Sequence, residues 1–252
     1  ECLVPALQAV IHGTKLPEHV ESIEAKEIQS VKVIDSKPIG ANVRSTVATY
    51  DGVFDDLRKL FAKIPDAKSK GLSAGDFSYN TGKLRCPVCD GTGIITMDVQ
   101  FLPDVDTICP SCGGSRYGKE AYDILWKSKE KDSVSVSLPG LLKLTVEEAA
   151  GILHEETKIA KQLKILQDLG VCYLTLGEAT PALSGGEAQR LKLAYELETP
   201  QQGSVFVFDE PTIGLHPQDV KKLILIFDHL IQLGATVIVI EHDLELVTNC
   251  DY

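Results

Sequence analysis

Residues 183–190 constrain this chain more than any other stretch, because they predict both a helix start and what that start can bind. Ser184 is a good N-cap residue, and Glu187 follows three residues later, where its carboxylate can reach the N–H of the cap. Gly185 and Gly186 leave the first-turn amides uncovered at the positive end of the helix dipole. We expect a helix that begins here and can bind a phosphate at its N-terminus.

Two apolar runs, 205–208 and 236–240, predict buried strands that end in polar side chains. Neither run alternates with charged residues, which is typical of strands covered by helices on both faces. The first run leads into Asp209 and Glu210, and His242 follows the second. Because open α/β sheets bind ligands at the carboxyl ends of their strands, we expect these three side chains at one edge. One carboxylate can serve Mg²⁺ and the other can polarise water.

Each of these pieces also has a plain structural explanation. A Gly-Gly pair before a helix is often only a turn, an Asp-Glu pair after a strand is often a helix cap, and a lone histidine at a strand end is often structural. The order of all three along one chain favours a nucleotide site.

The order of these segments resembles the ATP-binding cassette (ABC) ATPases. Residues 183–189 look like their signature motif, 205–210 like their Walker B strand, and His242 like their switch histidine. The sequence Asp-Glu-Pro-Thr-Ile-Gly-Leu-His-Pro at 209–217, with Glu-His-Asp-Leu at 241–244, more narrowly resembles the UvrA family of the bacterial excinuclease. Transporter cassettes usually differ after the Walker B carboxylates.

The resemblance implies an α/β fold, an ABC-type nucleotide-binding cassette with a helical signature subdomain and an inserted Cys₄ zinc-binding module. It assigns three residues to the γ-phosphate of ATP across a cassette dimer: Ser184, Gly185 and Gly186. It further implies that Asp209 holds Mg²⁺ and that Glu210 acts on the attacking water. His242 would then sense or stabilise the γ-phosphate.

The early part of the chain also resembles the UvrA family. Residues 23–28 and 31–34 predict two strands of the nucleotide-binding edge, and a helix is expected over 52–62. After the Ile-Asp pair the family usually has a Q-loop glutamine, whereas this chain has Ser36. We therefore place Ser36 at the cofactor site, without the contact to Mg²⁺ or water that a glutamine amide would make.

The phosphate-cradling sequence Gly-x-x-x-x-Gly-Lys-Ser/Thr does not occur in the chain. In the family that Walker A loop lies just before a helix like the one expected over 2–11. We therefore expect a fragment whose own ATPase activity is negligible. Family members contain two cassettes, and the resemblance fits the second better; shorter paralogues linked to drug tolerance fit as well.

Four of the seven cysteines form two Cys-x-x-Cys pairs, Cys86 with Cys89 and Cys109 with Cys112. Together the pairs complete tetrahedral four-sulfur ligation, and a closed Cys₄ set favours a structural rather than a catalytic zinc. Redox pairing and unligated cysteines are the alternatives. The other three are expected to be small buried apolar side chains: Cys2, Cys172 and Cys250.

Residues 94–101 predict a strand of a hairpin held by this zinc. Lys83, Arg85 and Arg116 flank the cysteines, where they either contact phosphates or only keep the surface soluble. Asp76 stands where the family often has a basic residue, which weakens the case for a DNA-binding strip.

Helices over 145–153 and 158–169 resemble the subdomain that positions the signature motif, and an amphipathic helix over 220–233 predicts a parallel β-α-β crossover. We divide the chain into four parts: 1–62, the first part of the ATP-binding core; 63–120, the zinc-binding insertion; 121–182, the helical signature subdomain; and 183–252, the signature helix, Walker B and switch histidine.

The net charge of −11 and the pI near 5.0 exclude a global basic footprint, so any nucleic-acid binding must be local. The apolar runs are too short for a membrane span and no leader is visible, which favours the cytoplasm. The resemblance implies ATP, Mg²⁺ and Zn²⁺ as cofactors. It also implies duplex DNA and a UvrB-like protein as partners, homodimerisation of the full-length protein, and a role in nucleotide excision repair.

A zinc-dependent protein-binding module is the alternative from another functional class. Residues 86–93 resemble the zinc repeats of DnaJ chaperones, which bind unfolded polypeptide. DnaJ has four such repeats, whereas this chain has two and the second departs at its last glycine position. An ABC ATPase for another partner is the third possibility.

Overall fold

The computed structural model describes residues 2–97, 105–129, 134–197 and 201–251. The chain divides into two compact units, one formed by residues 1–38 and 184–252 and the other by residues 39–183. The four-part division drawn from the sequence stays a prediction. Among the helices described, none has the length and apolar character needed to cross a membrane.

The first unit contains a parallel sheet of three strands. In spatial order these are β1 (Ser30–Ile34), β6 (Ser204–Asp209) and β7 (Thr236–Ile240). Among its described residues, this unit has the helices α1 (Leu3–His12), α8 (Gly185–Leu197), α9 (Pro217–Gln232) and α10 (Leu244–Val247). Helix α9 joins the parallel strands β6 and β7, so the predicted β-α-β connection is present.

The central strand β6 is buried on both of its faces, which explains its unbroken apolar sequence. Val205 and Val207 pack with Leu7 of α1 in one apolar cluster. On the opposite face the ring of Phe208 lies 4.5 Å from that of Phe227 in α9, measured between centroids. Helices therefore cover both faces of the sheet at its centre.

Two expectations about this part of the sequence are wrong. Residues 23–28 form no strand; Ala25 is buried and Ile23 and Ile28 pack beside it in the cluster of α1 and β6, so their apolar side chains are satisfied without ladder pairing. The three cysteines expected to be buried are at least partly exposed, because they lie at or just beyond helix ends: Cys2, Cys172 and Cys250.

The second unit is mostly helical, with two small antiparallel hairpins. Its helices are α2 (Val47–Tyr50), α3 (Val53–Ala62), α4 (Pro65–Ser69), α5 (Leu138–Leu142), α6 (Val146–Ile152) and α7 (Thr157–Asp168), with 3₁₀ turns at Lys119–Asp123 and Thr180–Ala182. The hairpins pair β2 (Ile94–Met97) with β3 (Val105–Ile108) and β4 (Leu125–Lys127) with β5 (Ser135–Ser137). The helices expected over 52–62, 145–153 and 158–169 are all present within one or two residues.

Aromatic side chains form the core of the second unit. The ring of Tyr79 lies 4.8 Å from that of Phe54 and 6.1 Å from that of Tyr117, between centroids. The Tyr117 hydroxyl donates to Phe77 O at 2.6 Å, and burial raises the pKa of Tyr117 well above its ordinary value. This phenol therefore remains a neutral donor, and its hydrogen bond fixes the ring within the core.

Gln189 of α8 joins the ends of two strands in the first unit. Its side-chain amide is buried, and Nε2 donates to Ile34 O at 3.0 Å and to Asp209 O at 2.8 Å. These carbonyls end β1 and β6, so one side chain ties the helix to both strands.

We expect Gln189→Leu to lower the free energy of unfolding by about 2 to 4 kcal/mol, because two strand-end carbonyls lose their donor. Chemical denaturation of both proteins measures this. Gln162→Leu is the matched control: Gln162 is also buried, but its Oε1 accepts no hydrogen bond, so its replacement should cost little. Equal losses in the two variants would contradict the role given to Gln189.

Candidate active site and metal centre

Helix α8 begins at the predicted capping box. The Ser184 N–H donates to Glu187 Oε2 at 2.7 Å, and the Glu187 N–H donates to Ser184 Oγ at 3.4 Å. Ser184 and Gly185 are exposed, whereas Gly186 is buried. The first turn is thus fixed by its own side chains and leaves the surface at its tip open.

Close packing adds a second reason for the two glycines. A β-carbon on Gly185 would lie 2.9 Å from Ser36 O, and one on Gly186 would lie 2.8 Å from Ile213 O. Real β-carbons do not approach backbone oxygens so closely, so only glycine lets α8 reach both loops. The structure therefore brings Gly185 next to Ser36.

The loop that carries Ser36 is held by Lys192, a residue that the sequence interpretation missed. Lys192 Nζ donates to Asp35 O at 3.0 Å, to Asp35 Oδ1 at 2.6 Å and to Lys37 O at 2.8 Å. Burial acts to raise the pKa of Asp35, but the hydrogen bonds and charges of Lys192 and Lys37 outweigh it and lower that pKa. Ser36 itself is exposed between these anchored neighbours.

Asp209, Glu210 and His242 lie at the carboxyl ends of β6 and β7, as the strand pattern predicts. Glu210 N–H donates to Ile240 O at 2.8 Å, which carries the pairing of the two strands one residue further. His242 Nε2 lies 3.8 Å from Glu210 Oε1, and the two side chains are 85% and 45% exposed. A carboxylate and an imidazole thus face solvent together, an arrangement able to polarise a bound water.

A third acidic residue at this edge, Glu241, was not assigned a role from the sequence. Its Oε1 accepts from the N–H groups of His242 at 2.8 Å and Asp243 at 3.2 Å, and its Oε2 accepts from Thr212 N–H at 3.2 Å. Burial acts to raise the pKa of Glu241, but these hydrogen bonds outweigh it and lower the pKa. The side chain is therefore a stable anion at neutral pH.

The four cysteines of the Cys-x-x-Cys pairs come together in the second unit. Their Sγ atoms all lie within 4.8 Å of one another, with 4.0 Å between Cys86 and Cys109 and 3.7 Å between Cys89 and Cys112. A tetrahedral zinc with bonds of about 2.3 Å places its sulfurs about 3.8 Å apart, so the cluster fits zinc.

The surroundings of the cluster also suit bound thiolates. Burial acts to raise the pKa of Cys86, but the N–H groups of Cys89 and Val88 help lower it to about 7. Gly93 N–H donates to Cys89 Sγ at 3.3 Å. Burial raises the pKa of Cys112 to about 12, with nearby thiols adding to the effect, so without a cation the fourth thiol stays protonated. Four thiolates therefore need a metal charge in their midst.

The hairpin beside the cluster is formed by β2 and β3, paired from Ile94 with Ile108 to Met97 with Val105. Its expected continuation to residue 101 lies outside the described residues.

The flanking basic residues differ in what they can contact. Arg116 is buried, donates from Nη1 to Val43 O at 2.8 Å and stacks over Tyr79. Both alternatives offered for Arg116, a phosphate contact and surface solubility, are therefore wrong. Lys83 lies 3.6 Å from Asp76, and Arg85 lies 3.0 Å from Asp90. Only these two retain exposed side chains.

Comparison with known proteins gives matches along the whole chain. An alignment of 255 positions that covers all of this chain shows 44% identity to UvrABC system protein A of Clostridium acetobutylicum. A second alignment, of 235 positions and 92% of this chain, shows 44% identity to UvrABC system protein A of Aquifex aeolicus. The crystal structure of UvrA2 from Deinococcus radiodurans matches 97% of this chain with a TM-score of 0.84 and 39% identity. This chain belongs to the UvrA family. Its family and its fold class were therefore predicted correctly from the sequence.

The match covers only part of each relative. The chain spans 26% of the length of the Clostridium protein, 25% of the Aquifex protein and 29% of the Deinococcus chain. No family model matches the chain. What the whole protein does is accordingly a matter for proposal.

We expect the purified protein to carry about one zinc per chain, since four thiolates close a tetrahedral site. Elemental analysis measures the metal, and thermal unfolding before and after chelation measures its effect. Cys109→Ser should abolish stoichiometric zinc and destabilise the unit, whereas Cys172→Ser, outside the cluster, should do neither. A cluster that binds no zinc, or chelation without any loss of stability, would contradict this assignment.

Proposed function

We propose that this chain is part of a UvrA-type ATPase that recognises damaged DNA in bacterial nucleotide excision repair. The observation that supports the proposal most is the edge where Glu210 and His242 face each other across 3.8 Å, in a chain related along its whole length to UvrABC system protein A. A DNA substrate would place the protein in the cytoplasm.

In this proposal the residues at the edge have separate tasks. Asp209, exposed at the end of β6, would hold Mg²⁺. The positive charge of Mg²⁺ would offset the negative charge on the transferring phosphoryl group. Glu210 polarises the attacking water, and His242 donates to the γ-phosphate. Ser36 lines the same site next to Gly185. The backbones of Asp209, Glu210 and His242 are held by hydrogen bonds, which favours stabilisation of developing charge.

The tip of α8 has the complementary task. Ser184, Gly185 and the first-turn amides bind the γ-phosphate of a nucleotide held by another cassette, so that ATP joins two cassettes. A homodimer of the full-length protein follows from this arrangement. We infer that the isolated chain hydrolyses ATP negligibly, because the phosphate-cradling loop does not occur in it.

The charge distribution supports different binding roles for the two units. Residues 39–183 carry 17 Lys and Arg against 19 Asp and Glu, whereas residues 1–38 and 184–252 carry 8 against 17. The acidic charge is thus concentrated in the unit with the nucleotide edge, and duplex DNA is better accepted by the second unit. A UvrB-like protein is the expected partner after DNA binding.

In the full-length protein, Glu210→Gln should lower kcat for ATP hydrolysis by about 100-fold or more, since it removes the group that activates water. The KM for ATP should change little. Phosphate release under multiple-turnover conditions measures both, and Glu147→Gln, an exposed carboxylate of α6, is the matched control. Unchanged turnover in Glu210→Gln would contradict the proposed role.

DNA binding by the full-length protein should depend on ATP and on the cysteine cluster. Fluorescence anisotropy with labelled duplex measures affinity, and we expect Cys109→Ser together with Cys112→Ser to weaken it while Cys172→Ser does not. The logarithm of the binding constant should fall linearly with that of the salt concentration, by about 0.9 per phosphate contacted. ATP hydrolysis without DNA affinity in any form would assign the ATPase to another partner.

A further inference from the structure

The turns that carry Glu210 and His242 meet through the side chain of Glu241. One carboxylate oxygen, Oε1, accepts from two N–H groups of the turn after β7, those of His242 and Asp243. The other oxygen, Oε2, accepts from Thr212 N–H at 3.2 Å in the turn after β6. One anion therefore bonds to both turns.

The turn after β6 needs such a fixed point because its backbone is strained. Glu210 has a φ of +48°, a left-handed conformation that non-glycine residues adopt at a cost of about 1 kcal/mol or more. Its N–H is held by Ile240 O, and Ile213 N–H closes the turn onto Glu210 O at 3.2 Å. Thr212 lies inside this turn, so its bond to Glu241 resists relaxation of the strained residue.

The charge of Glu241 is met by three backbone N–H groups and by the side chain of Thr212, which also hydrogen-bonds to it. Within the described part of the chain no Lys, Arg or His pairs with this carboxylate, while three N–H groups point at it. Hydrogen bonds to an anion are about twice as strong as those between neutral groups, so the two turns are joined firmly.

We propose that Glu241 is a positioning residue for ATP hydrolysis, whose carboxylate holds the Glu210 turn and the His242 turn in the relative arrangement that the reaction requires. This inference rests on the proposed function. Glu241 touches neither reacting group itself; it acts through the backbones that carry them. A misplacement of either group by about 1 Å costs up to about 100-fold in rate.

The discriminating variant is Glu241→Gln in the full-length protein. The amide oxygen can keep the two bonds to His242 and Asp243, but its NH₂ then faces the Thr212 N–H. The charged backbone bond between the turns is lost, and only the Thr212 hydroxyl can still meet the amide. We expect kcat for ATP hydrolysis to fall by about tenfold or more, with the KM for ATP within about twofold, because substrate binding is left intact.

Two further variants separate the loss of the bond between the turns from the mere removal of a negative charge. Glu245→Gln makes the same chemical change in α10, where Glu245 lies 3.7 Å from Lys221 in an exposed pair, and should leave kcat unchanged. Glu241→Asp keeps the charge but is too short to reach both turns, so it should lose activity as Glu241→Gln does. Normal kcat in the Asp variant would overturn the proposal.

Amide hydrogen exchange provides a readout that needs no turnover. In Glu241→Gln the Thr212 amide should exchange faster, whereas the Leu246 amide, which bonds to Asp243 Oδ1 at 3.0 Å, should keep its rate. Unchanged exchange at Thr212 would overturn the proposal that Glu241 joins the two turns, whatever the ATPase activity of the variant. If the wild-type protein itself fails to hydrolyse ATP, the proposed function fails. The exchange experiment still decides whether Glu241 joins the two turns.

A double-mutant cycle with Glu210→Gln separates positioning from general destabilisation. If Glu241 acts through Glu210, adding Glu241→Gln to Glu210→Gln should lower kcat much less than tenfold. A full additional loss when Glu241→Gln is added to a variant that lacks both groups, Glu210→Gln with His242→Ala, would show that Glu241 acts by another route and would overturn the proposal.

Discussion

The first unit depends on the way α8 is fastened to the ends of β1 and β6. Gly185, Gln189 and Lys192 lie on one side of this helix and contact backbone atoms of residues 34–37 and 209. The fastening consists mainly of hydrogen bonds to backbone carbonyl groups at and just beyond the ends of the two strands. Movement of the helix would therefore displace the Ser36 loop and the strand that ends in Asp209.

The second unit is organised differently, around its cysteines and a small aromatic core. Arg116 links the two, since it follows the second cysteine pair closely and its guanidinium lies 5.1 Å from the Tyr79 ring while donating to Val43 O. Burial lowers the pKa of Arg116, the expected direction for a cation taken from water. The geometry of the cysteine cluster is thus connected to the packing of Val43 and Tyr79, which lie far away in sequence.

Much of this arrangement could be predicted from the sequence because the relevant signals are local. The capping box of Ser184 and Glu187, the apolar run of β6 and the spacing of the cysteine pairs each carry their own physical reason. The strand expected over 23–28 failed because apolar residues there pack singly against α1, and no local pattern distinguishes that from strand pairing. Arg116 looked like a surface cation for the same reason: its burial is set by distant aromatic residues.

The contributions of Gln189, Lys192 and Glu241 were invisible for a further physical reason. Each contacts at least one backbone oxygen or N–H group that lies far away in sequence, and backbone groups leave no mark in the residue pattern. A motif shows which side chains touch the substrate, whereas the side chains that hold those residues in place are recognised only from contacts. Lys192 and Glu241 hold backbone groups with full charges, and charged hydrogen bonds are about twice as strong as neutral ones, so one side chain is enough to fix a loop or a turn.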